Sequence, residues 1–386
     1  MNHTLGFPCA LRWCAVRRIV YASGVSARST SAPLRFAGTA LLLAAAGVPL
    51  SLLWDYSWES TVGIDLPLSP PHVANYLAVA LAAMAALALV IAGTREGEGV
   101  RLARCTAPLG AWIALWGALA FVTAVFFDRW WQSAYGLAAG IWHPPQLLKA
   151  AAFLAVTFGA WLCAPDRALG GATLLALIAV VTLPDTFANR QHGAPFYLIA
   201  CGTYPLVLAA AATAGARRFP ATRSALGYLL LACAMVWLLP LFPAVPLTGP
   251  IFNPRDHMLP PPFPLLLVAP AFALDLLLRV PQGKARRFDD FSRAVEAGLA
   301  FWIVFSAVQW MFAEFLLSPA ADNRVFAGGG RHWPFFLQIH PSAMTAFWPE
   351  KDEEFTATRA LCAAALAVIS SFVGLRLGRV LRASSR

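Results

Sequence analysis

The chain is written in long apolar runs separated by short polar intervals. Ten runs come near the ~20 residues that carry a helix across a bilayer. They lie near 36–54, 73–94, 108–127, 147–164, 168–184, 195–214, 225–243, 262–279, 295–317 and 358–378. The pattern predicts an all-α, polytopic membrane bundle of about ten transmembrane helices. The fifth run is short and the seventh and eighth are flanked by proline, so their ends are loosely set. The intervals alternate in character. The set 95–107, 165–167, 215–224, 280–294 and the tail beyond 378 is basic or mixed, with Arg217, Arg223, Lys284, Arg287 and Arg382 among its charges. The other set is 55–72, 128–146, 185–194, 244–261 and 318–357. Because positive loops stay inside, both termini are expected in the cytoplasm and the second set outside.

Composition supports the membrane reading. Hydrophobic residues make up 59% of the 386 and charged residues only 12%, about half the share a water-facing domain carries. The net charge of +10 then needs no nucleic-acid partner, because the arginines sit in the intervals that face the cytoplasm. Residues 1–35 hold five arginines and no acid. Arg12 interrupts their apolar piece, which makes a poor signal peptide, and the segment reads as a basic cytoplasmic tail. The seven cysteines show no metal spacing and read as small apolar residues. An Ala/Arg/Leu bias suggests a GC-rich bacterial source and hence the plasma (inner) membrane.

Within 36–165 a unit recurs. The first copy runs Trp54-Asp55-Tyr56-Ser57-Trp58-Glu59, then Pro70-Pro71-His72; the second runs Phe127-Asp128-Arg129-Trp130-Trp131-Gln132, then Trp142-His143-Pro144-Pro145-Gln146. From each aspartate the polar steps are four then thirteen in one copy, and four then fourteen in the other. The order implies a duplicated helical hairpin, followed by further helices over 166–317, a long outer loop over 318–357, and a last helix with a basic tail over 358–386. Pro-Pro suits a helix start, where a missing N–H costs nothing, and tryptophans 54, 58, 130, 131 and 142 suit an interfacial belt.

Asp55 and Glu59 share a helix face if the first helix continues by one turn, and His72 opens the next helix at the same depth. Two carboxylates and an imidazole form a candidate divalent-metal site; solvated acids and a helix-anchoring histidine are the plain alternative. In this spacing the chain resembles the membrane-embedded C subunit of the particulate methane and ammonia monooxygenases, over roughly residues 40–165. The resemblance implies a copper site of an aspartate and two histidines at the first unit, and of an asparagine and two histidines at the second. Here Asp55 and His72 match, and Glu59 replaces a histidine. Asp128 replaces the asparagine, and Gln132 and Gln146 replace both histidines. With a harder oxygen donor at Glu59, zinc, iron or manganese become comparable to copper. At the second unit Lys149 follows Gln146 by one turn, so an Asp128–Lys149 ion pair is expected where a metal would sit, with His143 as a possible substitute ligand.

Other polar residues are less ordered. Asp185, Asn189 and His192 suggest a third, diverged unit or coincidence. Asp256-His257, and Arg331-His332 with His340, lie in outer loops. Gly328-Gly329-Gly330 reads as a tether, since no strand precedes it. Glu314 is an ionisable residue near a helix's outer end. Asp275 and Arg279 read as a helix-surface pair. Three function classes stay open: a copper-monooxygenase-like metal protein, a non-catalytic scaffold or assembly subunit with degraded sites, and a transporter. The last is weakest, since the repeat is parallel and the helix centres are nearly free of charge. Partners beyond the bilayer would be other membrane subunits.

Overall fold

The computed structural model describes residues 32–62, 66–97, 99–136, 143–182, 191–215, 217–243, 257–279, 289–316, 318–321, 323, 325–326 and 353–383. Among these the chain is an all-α membrane protein. Its helices are α1 (Ala32–Val62), α2 (Pro70–Glu96), α3 (Leu109–Tyr135), α4 (Pro144–Cys163), α5 (Arg167–Thr182), α6 (Ala194–Ala214), α7 (Pro220–Leu238), α8 (Val268–Leu278), α9 (Asp289–Leu316) and α10 (Ala357–Ala383). Eight are long and apolar enough to cross a bilayer; α5 and α8 are shorter apolar helices. Leu43, Met84, Phe126, Ile303 and Met311 are among the large apolar side chains left exposed, as suits a lipid-facing surface. A short antiparallel hairpin, β1 (Val100–Leu102) with β2 (Cys105–Ala107), joins α2 to α3. It lies within the interval 95–107 of the basic or mixed set.

Prolines set several helix starts: α2 and α4 open at the expected Pro-Pro pairs, and α6 and α7 also carry a proline at their first or second position. In α6, Pro205 lies inside the helix and interrupts its ladder. The Ser370 hydroxyl of α10 inserts at this point, donating to Gly202 O (2.9 Å) and accepting from Leu206 N (3.1 Å). One and two turns on, Gly374 and Gly378 let α10 lie against α6: a Cβ at Gly374 would stand 2.3 Å from Leu206 O. Small residues four apart are the usual seam of packed membrane helices. α6 carries the centre of the larger core, with Phe196, Tyr197, Tyr204, Phe301 and Phe305 buried around it. The smaller core joins α1 to α4.

The eighth run departs from expectation. Residues 258–267 are not helical; α8 begins only at Val268. Pro260, Pro261, Pro262 and Pro264 supply no N–H and push the residues before them out of the α region. Non-helical backbone at membrane depth must be buried in protein with its polar groups paired. Here Leu259 N donates to Thr61 Oγ1 (2.8 Å), Leu265 N to Tyr228 Oη (3.0 Å) and Leu266 N to Gln309 Oε1 (3.0 Å). The Ser57 hydroxyl donates to Leu259 O, and Gln309 Nε2 donates to Gln191 Oε1 (2.7 Å). Polar side chains of α1, α7 and α9 thus replace the missing helical bonds.

Candidate functional site

The hairpins α1–α2 and α3–α4 each end in a polar cluster at the same side of the bundle. Helix α1 continues past the expected apolar run to Val62, which carries Asp55 to the mouth of its hairpin. His72 lies in the first turn of α2. Its Nδ1 stands 3.1 Å from Leu66 O; a carbonyl only accepts, so Nδ1 carries the proton and Nε2 faces Asp55. Nε2 is 3.6 Å from Asp55 Oδ2, too long for a direct hydrogen bond. It is close to the ~3.0–3.4 Å between two ligands of one ion held by bonds of about 2.0–2.2 Å. A histidine whose other ring N–H is tied to a backbone carbonyl is how proteins orient a metal-binding imidazole.

The expected third member does not join them. Glu59 is exposed, one turn nearer the mouth than Asp55. Among the described residues no three of His, Cys, Asp and Glu gather closely enough to hold a metal. The spacing of four gives a common face but not a common depth, and His72 meets the inner of the two acids.

Two buried oxygen acceptors remain nearby. Asp55 Oδ1 and Asn75 Oδ1 have no hydrogen-bond partner, and Asn75 is only 5% exposed. Asn75 follows His72 by three residues, one turn deeper on the same face of α2. Sequence reasoning passed over it, although a signal existed: Asn75 stands to His72 as Lys149 stands to Gln146. Below it, Tyr76 stacks on the His72 ring at 6.1 Å and touches Phe121 of α3 at 6.0 Å, linking the two hairpins.

The second cluster has the ion pair expected of it. Lys149 Nζ lies 2.5 Å from Asp128 Oδ2. Gln132 Nε2 donates to Oδ2 (3.2 Å) and Gln146 Nε2 to Oδ1 (3.4 Å). Asp128 is 6% exposed and both its oxygens are used, so an ammonium fills the place a metal cation would take. His143 packs its ring on Trp131 instead (6.3 Å).

Other candidates fall elsewhere. His192 is fully buried, with Nε2 3.0 Å from Glu314 Oε1 and its ring edge-on to Trp310; two residues read separately thus meet. Asp185, Asn189, Asp256, Arg331, His332 and His340, with the glycine run, lie outside the described residues. His257 pairs with Pro243 through a backbone bridge. Asp275 and Arg279 do not pair: Asp275 accepts from Ala221 N, Thr222 N and the Thr222 hydroxyl (3.2, 2.8 and 2.7 Å), and Arg279 lies 3.4 Å over the Phe219 ring. The start of α7 is nearer to Asp275 than its own helix neighbour, and it offers several donors at once. Trp58 is no belt residue; it is buried with Leu239 and Met258.

Compared with known proteins, the chain matches no family model, no curated protein and no solved structure.

Proposed function

We propose that this is a metal-binding membrane protein similar to the C subunit of the particulate methane and ammonia monooxygenases, in which only the first hairpin keeps a cation site. The observation that carries the reading is the contrast between the two clusters. In the second, a buried aspartate has an ammonium on it. In the first, the equivalent aspartate keeps a buried oxygen with no partner, with His72 Nε2 3.6 Å from its other oxygen and Asn75 one turn beyond His72 on α2. A carboxylate oxygen sealed from water needs a donor or a cation, and the first unit has no lysine at the place Lys149 holds in the second.

The residues fit a divalent ion of the copper, zinc, iron or manganese group. Asp55 and Asn75 offer oxygen and His72 offers Nε2, a mixed set suited to such ions. When bound, the ion would supply Lewis acidity or, for copper or iron, electron transfer. Asp55 compensates its charge, Leu66 O fixes the imidazole tautomer, and Asn75 closes the inner side.

The rest of the reading follows from the same resemblance and the charge pattern. The chain crosses a bacterial plasma membrane ten times, α5 and the α8 segment included. Both termini are cytoplasmic, the clusters lie at the outer face, and other membrane subunits are its partners. The second reading, a scaffold with two degraded sites, is favoured by the position of Glu59 outside the cluster. Metal analysis of the purified protein separates the two. About one ion per chain, lost in Asp55→Ala and His72→Ala, supports the site; wild-type protein devoid of metal after supplementation leaves the scaffold.

A further inference from the structure

At the opposite side of the bundle the ends of α6 to α10 enclose a cleft of about 290 Å³, at the small end of the range of ligand pockets. Five arginines line it. Arg217 comes from the turn between α6 and α7, and Arg279 follows α8. Arg293 lies in the second turn of α9, and Arg379 and Arg382 lie near the end of α10.

Three aspartates among the described residues near the cleft are engaged. Asp275, the one acid in the lining, is 2% exposed and accepts three hydrogen bonds from the start of α7. Asp290 holds Arg379 and Arg376. Asp166 is shared between Arg223 (3.0 Å) and Arg217 (3.7 Å). Among the described residues, five arginines and one aspartate thus line the cleft itself. Membrane topology asks only that arginines lie near the helix ends, pointing anywhere. It does not ask five of them, from separate elements, to converge on one concave surface, where like charges repel.

We propose that this cleft binds a phosphate oxyanion, carried by an anionic phospholipid head group or by a soluble phosphate. Guanidinium groups suit that ligand because their paired N–H donors match phosphate oxygens. The cleft opens where helices leave the apolar zone, the depth of lipid head groups, and basic clefts between helices on the cytoplasmic side bind such groups. The proposal does not depend on the metal reading.

The test uses delipidated full-length protein in detergent and reads its thermal unfolding midpoint. The probes are short-chain phosphatidylglycerol, short-chain phosphatidylcholine and inorganic phosphate. Phosphatidylglycerol is expected to raise the midpoint well beyond phosphatidylcholine. If inorganic phosphate does so equally, the oxyanion alone is the ligand; if it does not, the ligand is the lipid. With each arginine near a lipid surface contributing about a fivefold factor, Arg293→Gln with Arg382→Gln should raise the half-saturating concentration by roughly tenfold or more. Arg101→Gln with Arg104→Gln, in the exposed β hairpin, should leave it unchanged. Should the double variant lose its helical signal, the rim substitution Arg382→Gln alone is expected to give about fivefold. Equal effects of the two lipids, no stabilisation by any probe, or equal losses in cleft and hairpin variants would overturn the proposal.

Discussion

Replacing Lys149 with methionine removes the ammonium from Asp128 while keeping most of the side-chain volume. At the 2.5 Å separation of this pair, the gross Coulomb term at an effective dielectric constant near 20 is about 6–7 kcal/mol. Most of it offsets the cost of taking both charges out of water. The measurable loss is the cost of leaving one charge unpaired, about 3–5 kcal/mol for a buried pair. Two features bring the figure to the bottom of that range or just below it. Gln132 and Gln146 still donate to the carboxylate, and the lysine side chain is 22% exposed, so the site is partly wet. We expect Lys149→Met to lose about 2–3 kcal/mol. Asp128→Asn should lose less, because a lysine with a partly exposed stem can turn its ammonium outward. The double variant Asp128→Asn/Lys149→Met should lose less than Lys149→Met alone, since no charge remains unpaired. The assay is a double-mutant cycle on denaturant unfolding of detergent-solubilised protein, followed by circular dichroism. Additive losses, with a coupling below about 0.5 kcal/mol, would refute the view that the lysine stands in for a cation.

Further outcomes follow from the broken segment and the helix seam. Gln309→Leu leaves Leu266 N–H and Gln191 without the partner described above. It should cost about 1–3 kcal/mol for the stranded Leu266 N–H, read as a lowered unfolding midpoint. Tyr228→Phe removes only the acceptor for Leu265 N–H and should cost about 1–3 kcal/mol; no change in either variant would show that water pairs these amides. Gly374→Val places a side chain against Leu206 O, so α6 and α10 must separate. A loss above 3 kcal/mol is expected from overpacking at this rigid backbone contact, checked by the yield and midpoint of folded protein.

How far the sequence speaks depends on whether a feature is local. The Asp128–Lys149 pair was legible because Gln146 and Lys149 share a helix face by spacing, and the recurrence placed Asp128 opposite them. Helix starts were legible because proline fixes its own backbone angle. The stretch from Met258 to Leu267 was not, since an apolar run reads alike as buried helix or as buried extended chain; its partners lie on three other helices. For the same reason Tyr228 and Gln309 look like ordinary helix residues until the segment they pair with is seen. Glu59 misled because a spacing of four fixes the face of a helix and says nothing of which turn the histidine will meet. Asn75 was hidden by its type: an asparagine in an alanine-rich helix draws notice only beside the lysine at the same place in the other unit.

The most direct test makes the first unit copy the second. Asn75→Lys puts an amine one turn below His72, in the register Lys149 holds below Gln146, where it can reach Asp55. Metal per chain is then measured by elemental analysis in wild type and Asn75→Lys, both folded by circular dichroism. The account predicts about one divalent ion in the wild type and none in the variant, because the amine supplies the charge the ion supplied. Wild-type protein that takes up no metal, or equal metal in both proteins, would contradict it.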